Sequence, residues 1–254
     1  MFSLMRNLRR TLIESNSVGK YLLYAFGEVV LIVLGILAAL WIDNWNQERQ
    51  EMKREQFYLS GLKDEFLLSL RKLDTLIAVN RETYQTSRQL LRRIPATTSP
   101  EEEAGLSRLL IETLSYEIAY NPNNSLLAEL IGSGRLETLS DPQLRNHLTS
   151  WAPSLESVHR QEGNLRMQRE RTLDLWRGPE GSIRTILVHS GVASGMDIGQ
   201  EAPLHSNLPV LKSRAFENNL LLFMLAAVDT EEAHYDPLRR EIEHILGLIE
   251  AGLE

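Results

Sequence analysis

The sequence predicts an all-α fold, in which an N-terminal transmembrane helix continues into an elongated up-down helical bundle. Three observations carry this expectation. Tyr21 to Ile42 is a run of 22 residues with Glu28 as its one ionisable group, long enough at about 1.5 Å per residue to cross a hydrocarbon core of about 30 Å. From Trp45 through Met52, Leu59, Leu62, Phe66, Leu70, Leu73, Ile77, Tyr84 and Leu91 to Ile94, apolar residues recur at steps of three, four or seven without a turn signal, as on one stripe of a helix. Downstream, Ser99-Pro100 and Asp141-Pro142 each set a capping side chain before a proline at the first helical position.

The apolar run reads as a permanent anchor. A cleavable export signal has a shorter apolar region and small residues three and one before the cut, whereas the end of this run offers Ala39 but has Leu37 upstream. Arg6, Arg9, Arg10 and Lys20 precede the span, and the positive-inside rule puts that end in the cytoplasm and the bulk of the chain outside it. Tyr21 and Tyr24 at one end, with Trp41 and Trp45 at the other, suit the two headgroup belts. The expected organisation is a basic cytoplasmic segment 1–20, a transmembrane helix 21–42 and an exported helical domain 43–254.

Glu28 needs a reason, because an ionisable group within a span is costly. On a helix it shares one face with Ile32, Gly35 and Ala39. Small residues permit close approach of a second helix, and a polar group beside them can hydrogen-bond across the contact. The stripe is therefore a candidate docking face for another transmembrane helix. The plainer alternative is that Glu28, about two turns from the cytoplasmic end, is reached by water or by Lys20.

The 254 residues are 43% hydrophobic and 24% charged, ordinary for a folded chain of one large or two small domains. From Asp43 onward, 23 basic residues face 32 acidic ones, which argues against nucleic acid as a partner. Cysteine is absent, which removes thiolate chemistry, disulfides and Cys-based zinc sites and is compatible with an oxidising compartment.

The remaining elements follow in order. "PATTSPEEEAG" ends the first helix and begins the second, with Ser99 as cap and glutamates at the positive helix end. Leu106, Leu109, Leu110 and Leu114 extend that helix until "YNPNNS" interrupts it. "SLLAELI" is a short apolar helix stopped by "GSG", where glycine can take the left-handed conformation. The next helix carries Leu144, Leu148, Trp151, Leu155, Val158 and Leu165 on one side, with Pro153 as a possible bend. Residues 177–209 are glycine- and proline-rich and read as a long irregular loop whose core, "SIRTILVHS", fits a short strand or a helical turn. A final helical stretch is expected to kink at Pro237, and its apolar run Leu220 to Val228 is expected to be the most buried helix of the core. In an alternating bundle the Pro95 connection and the 177–209 loop share one end, and the "GSG" turn and carboxyl terminus share the other.

"KYLLYAFGEVVLIVLGILAALWIDNWNQER" and "NPNNSLLAELIGSGRLETLSDPQLRNHLTSW" resemble an uncharacterised family of bacterial single-pass membrane proteins. That family pairs a Gly-Glu-containing span ending in Asn-Trp-Asn with a helical extramembrane domain. The matching residues are Gly27, Glu28, Asn44, Trp45 and Asn46, then Leu127, Glu129, Leu130, Ser133, Gly134, Leu136, Asp141, Leu144, Arg145 and Leu148. The resemblance implies bacterial inner-membrane topology with a periplasmic bundle and carries no activity.

The sharpest catalytic candidate is a pair of Glu-x-x-His motifs, Glu156 with His159 and Glu241 with His244. Di-metal carboxylate bundles use two such motifs plus two glutamates from other helices; Glu65 and Glu112 are the available extras, though no motif marks them. Chance matches are expected among so many glutamates, and solvated helix edges explain both motifs. Nucleophile-elbow, phosphate-loop and dinucleotide patterns are missing. No catalytic residue or cofactor is therefore assigned. The expected function is a non-enzymatic, membrane-anchored interaction or accessory subunit, with lipid and either another membrane protein or a second copy as partners. The alternative is a periplasmic sensor that binds a small molecule and signals through a partner; a di-metal oxidase is more remote.

Overall fold

The computed structural model describes residues 18–196, 198 and 202–253, which are helical almost throughout, with no strand among them. The first helix, α1, runs Val18–Arg93, as the unbroken periodicity predicts. The chain divides into two compact units, Met1–Gln56 and Phe57–Glu254.

In the first unit the apolar residues of α1 from Phe26 to Trp41 are exposed all round, Trp41 at 72%. Among the described residues α1 is the one helix long and apolar enough to cross a membrane, and none of its most apolar window is buried by this chain. Local contacts here are within the helix: Gln47 donates to Asp43 at 3.1 Å, and the Arg49 guanidinium lies 6.0 Å from the Trp45 ring.

The second unit is an all-α bundle. After a 3-10 turn at Ile94–Ala96 come α2 (Pro100–Leu114), α3 (Ser125–Gly132), α4 (Pro142–Arg177), α5 (Ile183–Ser190), α6 (Leu208–Leu211), α7 (Arg214–Asp229) and α8 (Asp236–Leu253). Both proline-marked starts form as expected. Asp141 accepts from the Gln143 N–H, and Ser99 accepts from Glu102 N–H while the Glu102 carboxylate reaches back to Thr98 and Ser99. Those backbone donors hold the Glu102 carboxyl below its ordinary range. Ser99→Ala, read by urea unfolding, is expected to cost about 1 kcal/mol, because it removes one arm of this capping box.

Contacts set the helix directions. Asn80 bonds Ala227 while Leu59 meets Gly252, so α1 and the α7–α8 stretch are antiparallel. His147 pairs with Glu241 and Gln161 with Ala226, so α4 opposes α8 and α7. Between them, Glu65 caps α3 by accepting the Leu126 and Leu127 N–H groups, at 2.7 and 3.3 Å. Up-down-up-down connectivity results. As expected, the Pro95 connection and the 177–209 segment meet, through Glu103 and Asn207, and the Gly134 turn lies with the carboxyl terminus around Tyr58 and Leu59. Gly134 has φ 69°, the left-handed geometry expected of "GSG".

Three expectations are corrected. Residues 177–209 are not one irregular loop, because α5, a 3-10 turn at Val192–Gly195 and α6 form within them. Ser182 caps α5, Gly191 ends it at φ 85°, and Ile186 packs into the core. Nor is Leu220 to Val228 the most buried helix. Leu220, Phe223, Ala226 and Ala227 face inward, but Leu221, Leu222 and Leu225 are exposed, Leu225 at 64%; nine apolar residues encircle a helix, and only one stripe meets the core. Finally, the Pro237 disturbance takes the form of a π-helical turn at Thr230–Tyr235, which absorbs the missing proline N–H upstream of the ring.

Candidate functional site

The core consists of two apolar clusters. One joins Leu62, Phe66 and Leu73 of α1 to Leu148 and Trp151 of α4 and Ile242 and Ile245 of α8. The other joins Leu90 and Ile94 to Leu110, Trp176, Phe216 and Leu220. Between them the inward face of α1 turns polar, with Asn80, Thr83 and Ser87 buried. The π turn sits at this level. Side chains add to the carbonyls just before it, which also accept the Thr230 N–H: Asn80 donates to Ala227 O at 2.8 Å, and Thr230 and Gln161 donate to Ala226 O at 2.7 and 3.4 Å. The buried Glu231 carboxylate pairs with Arg81.

Glu162 anchors the same level. Its carboxylate, 6% exposed, accepts the Tyr235 O–H at 2.6 Å and the Tyr120 N–H at 2.8 Å, and Tyr120 O–H donates to Ser69 O at 3.1 Å. Burial pushes both phenols well above the ordinary tyrosine range, and for Tyr235 the hydrogen bond to Glu162 adds to the effect. In the unfolded chain a tyrosine ionises near pH 10. Above that pH the unfolded state therefore holds fewer protons than the native one, so stability is intact below about pH 10 and falls as pH rises. The expected slope is up to about 1.4 kcal/mol per pH unit for each phenol. Urea midpoints between pH 8 and 11 check it, and Tyr235→Phe should remove about half of the slope.

The Glu-x-x-His residues are not brought together. Glu156 is exposed, and His159 Nε2 lies 3.0 Å from Tyr120 O. Glu241 instead meets His147 Nδ1 at 2.7 Å, and the His147 and His244 rings pack edge-on with centroids 4.6 Å apart. Among the described residues no group of three or more His, Asp or Glu is placed to hold a metal ion. Glu65 serves as the cap of α3, and Glu112 is exposed.

His147 and Glu241, with Ser150, Ser154, His234 and Pro237, line an open groove of about 420 Å³ beside the π turn. A second concavity, of about 240 Å³, is walled by Leu110 and Leu114 of α2, Leu173 and Trp176 of α4, and Ile186 and Leu187 of α5. Sequence reading missed Glu162, Asn80, His147 and this pocket. Asn80 stands at helical spacing between Ile77 and Leu90 on the inward face of α1, a register that the apolar stripe through Tyr84 and Leu91 does not follow, and nothing local marks Glu162.

In the first unit, Glu28, Ile32, Gly35 and Ala39 are all exposed, as are Trp41 and Trp45. Lys20 lies on α1, whereas Arg9 and Arg10 fall outside the described residues. The resemblance residues have structural roles in the bundle: Leu127, Leu130, Leu144 and Leu148 are buried, and Arg145 donates to the Leu139 and Ser140 carbonyls.

Fold and sites together define an all-α bundle protein whose longest helix carries an apolar stretch that the described residues leave exposed. The chain belongs to a family of unknown function (DUF6090), whose model matches residues 28–155. No curated protein and no solved structure matches the chain.

Proposed function

We propose that this protein is a non-enzymatic, membrane-anchored interaction subunit of the bacterial inner membrane. Residues 21–42 span the bilayer, the basic amino terminus stays in the cytoplasm, and the bundle faces the periplasm. Glu28, Ile32, Gly35 and Ala39 dock against a transmembrane helix of another membrane protein or of a second copy.

The observation that supports this most directly is the complete exposure of the apolar part of α1 within its own chain. At roughly 1.5–3 kcal/mol for burying each large apolar side chain, such a surface demands lipid or protein as cover. The basic residues before it supply the orientation. The small-residue stripe beside a carboxylate supplies a reason for helix contact.

The test is gentle detergent extraction followed by mass measurement of the intact particle. A particle heavier than one 29.0 kDa chain is expected, reduced to a single chain by Gly35→Leu with Ala39→Leu. A wild-type protein that runs as a lone chain, with Glu28→Ala behaving identically, rejects docking. Orientation is read separately: in this cysteine-free chain, Glu137→Cys on the exposed bundle surface should react with a membrane-impermeant maleimide in cells whose inner membrane is intact.

A further inference from the structure

We infer that the pocket between α2, α4 and α5 is a binding site for a small carboxylate with a compact apolar body. The walls supply the apolar requirement through Leu110, Leu114, Leu173, Ile186 and Leu187. The volume of about 240 Å³ is small for a ligand pocket, which restricts the occupant to a compact body of roughly eight to ten non-hydrogen atoms.

The anionic requirement rests on charge. The charged residues lining the pocket are Arg169 and Arg177, with no carboxylate among them. Arg169 is held in place, Nε donating to Leu114 O at 2.6 Å and Nη1 to Glu170 at 2.9 Å. Those bonds use two of its five N–H groups, and its side chain is only 15% exposed. A guanidinium already immobilised in a largely apolar wall binds a carboxylate with little further ordering cost. Arg177 stands more exposed at the same pocket, tied to Asp174 and Glu170.

Trp176 closes the inner wall as apolar surface: it is 3% exposed and packs edge-on against Phe216, ring centroids 5.6 Å apart. Convergent polar groups in an otherwise apolar concavity are what ligand sites present. The α2 wall lies within the stretch 28–155 that the family model covers, whereas the lining residues of α4 and α5, from Arg169 to Leu187, lie beyond it.

The test uses the full chain in lipid nanodiscs and isothermal titration calorimetry with phenylacetate as probe. One saturable site with Kd below about 1 mM is expected, with the neutral isostere phenylacetamide and the cationic phenethylamine binding at least tenfold more weakly. Ile183→Trp fills the mouth from an exposed position and should abolish binding, and Arg177→Gln should weaken it at least threefold with an unchanged melting temperature. No saturable heat up to 10 mM phenylacetate overturns the proposal. So does equal affinity for the amide, or undiminished binding by a folded Ile183→Trp variant.

Discussion

Replacing Val30 and Leu34 together by lysine is expected to move most of the protein out of the carbonate-washed membrane pellet. Both residues are exposed on α1 and, at 100° per residue, lie on the side of the helix away from Glu28, Gly35 and Ala39, so the change addresses anchoring and leaves the docking stripe intact. Near the centre of a span, exchanging a branched aliphatic residue for lysine costs about 3 kcal/mol on the insertion scale, and snorkelling recovers part of that for residues nearer the ends. Two such changes near the middle of a single span leave little net drive for insertion. The same double change to alanine should retain the protein in the pellet. If the lysine variant remains fully membrane-bound, the anchor assignment fails, and with it the proposed function.

Trp151→Ala should destabilise the bundle by about 3–5 kcal/mol, the range for deleting a buried large aromatic side chain. Trp151 is 2% exposed and meets Phe66 edge-on, centroids 5.0 Å apart, at the point where α1, α4 and α8 share one apolar cluster. The cavity left behind cannot close without moving α1 against α4, since Leu62, Leu148 and Leu155 are already packed there. Thermal unfolding followed by far-UV circular dichroism should register a drop of about 10 °C. Trp151→Phe is expected to cost much less, below about 2 kcal/mol. The indole N–H of Trp151 has no partner among the described residues, and removing an unsatisfied buried donor offsets part of the lost packing. Equal losses for the two variants would show that this donor is satisfied in solution.

The contrast between Trp151 and Glu162 shows what was legible before the structure. Trp151 stands in a regular apolar stripe, so periodicity alone placed it in the core. Glu162 sits four residues past Val158 on the same face of α4, but a lone glutamate at helical spacing looks like a solvated edge, and only Tyr120, from the α2–α3 connection, and Tyr235, from the π turn, make its burial tolerable. The Glu-x-x-His pairs, read as solvated helix edges with a metal site only as a remote alternative, show the converse. Their spacing is local and was easy to see, yet His147, from outside either motif, is the residue that meets Glu241.

By itself the sequence determined the features whose physics is local. These are the length and polarity of the apolar run, the uninterrupted α1 periodicity, the capped and proline-marked starts of α2 and α4, and the glycine stop after α3, because each depends on residues within a few turns of one another. Tertiary structure decided the rest. It selected which four of the nine residues from Leu220 to Val228 are buried, stabilised α5 by packing it on α2, paired the Asn80 and Gln161 side chains with the Ala227 and Ala226 carbonyls just before the π turn, and opened the pocket beside Trp176. Each of these is set by contacts between residues distant along the chain, for which no local pattern carries the energy.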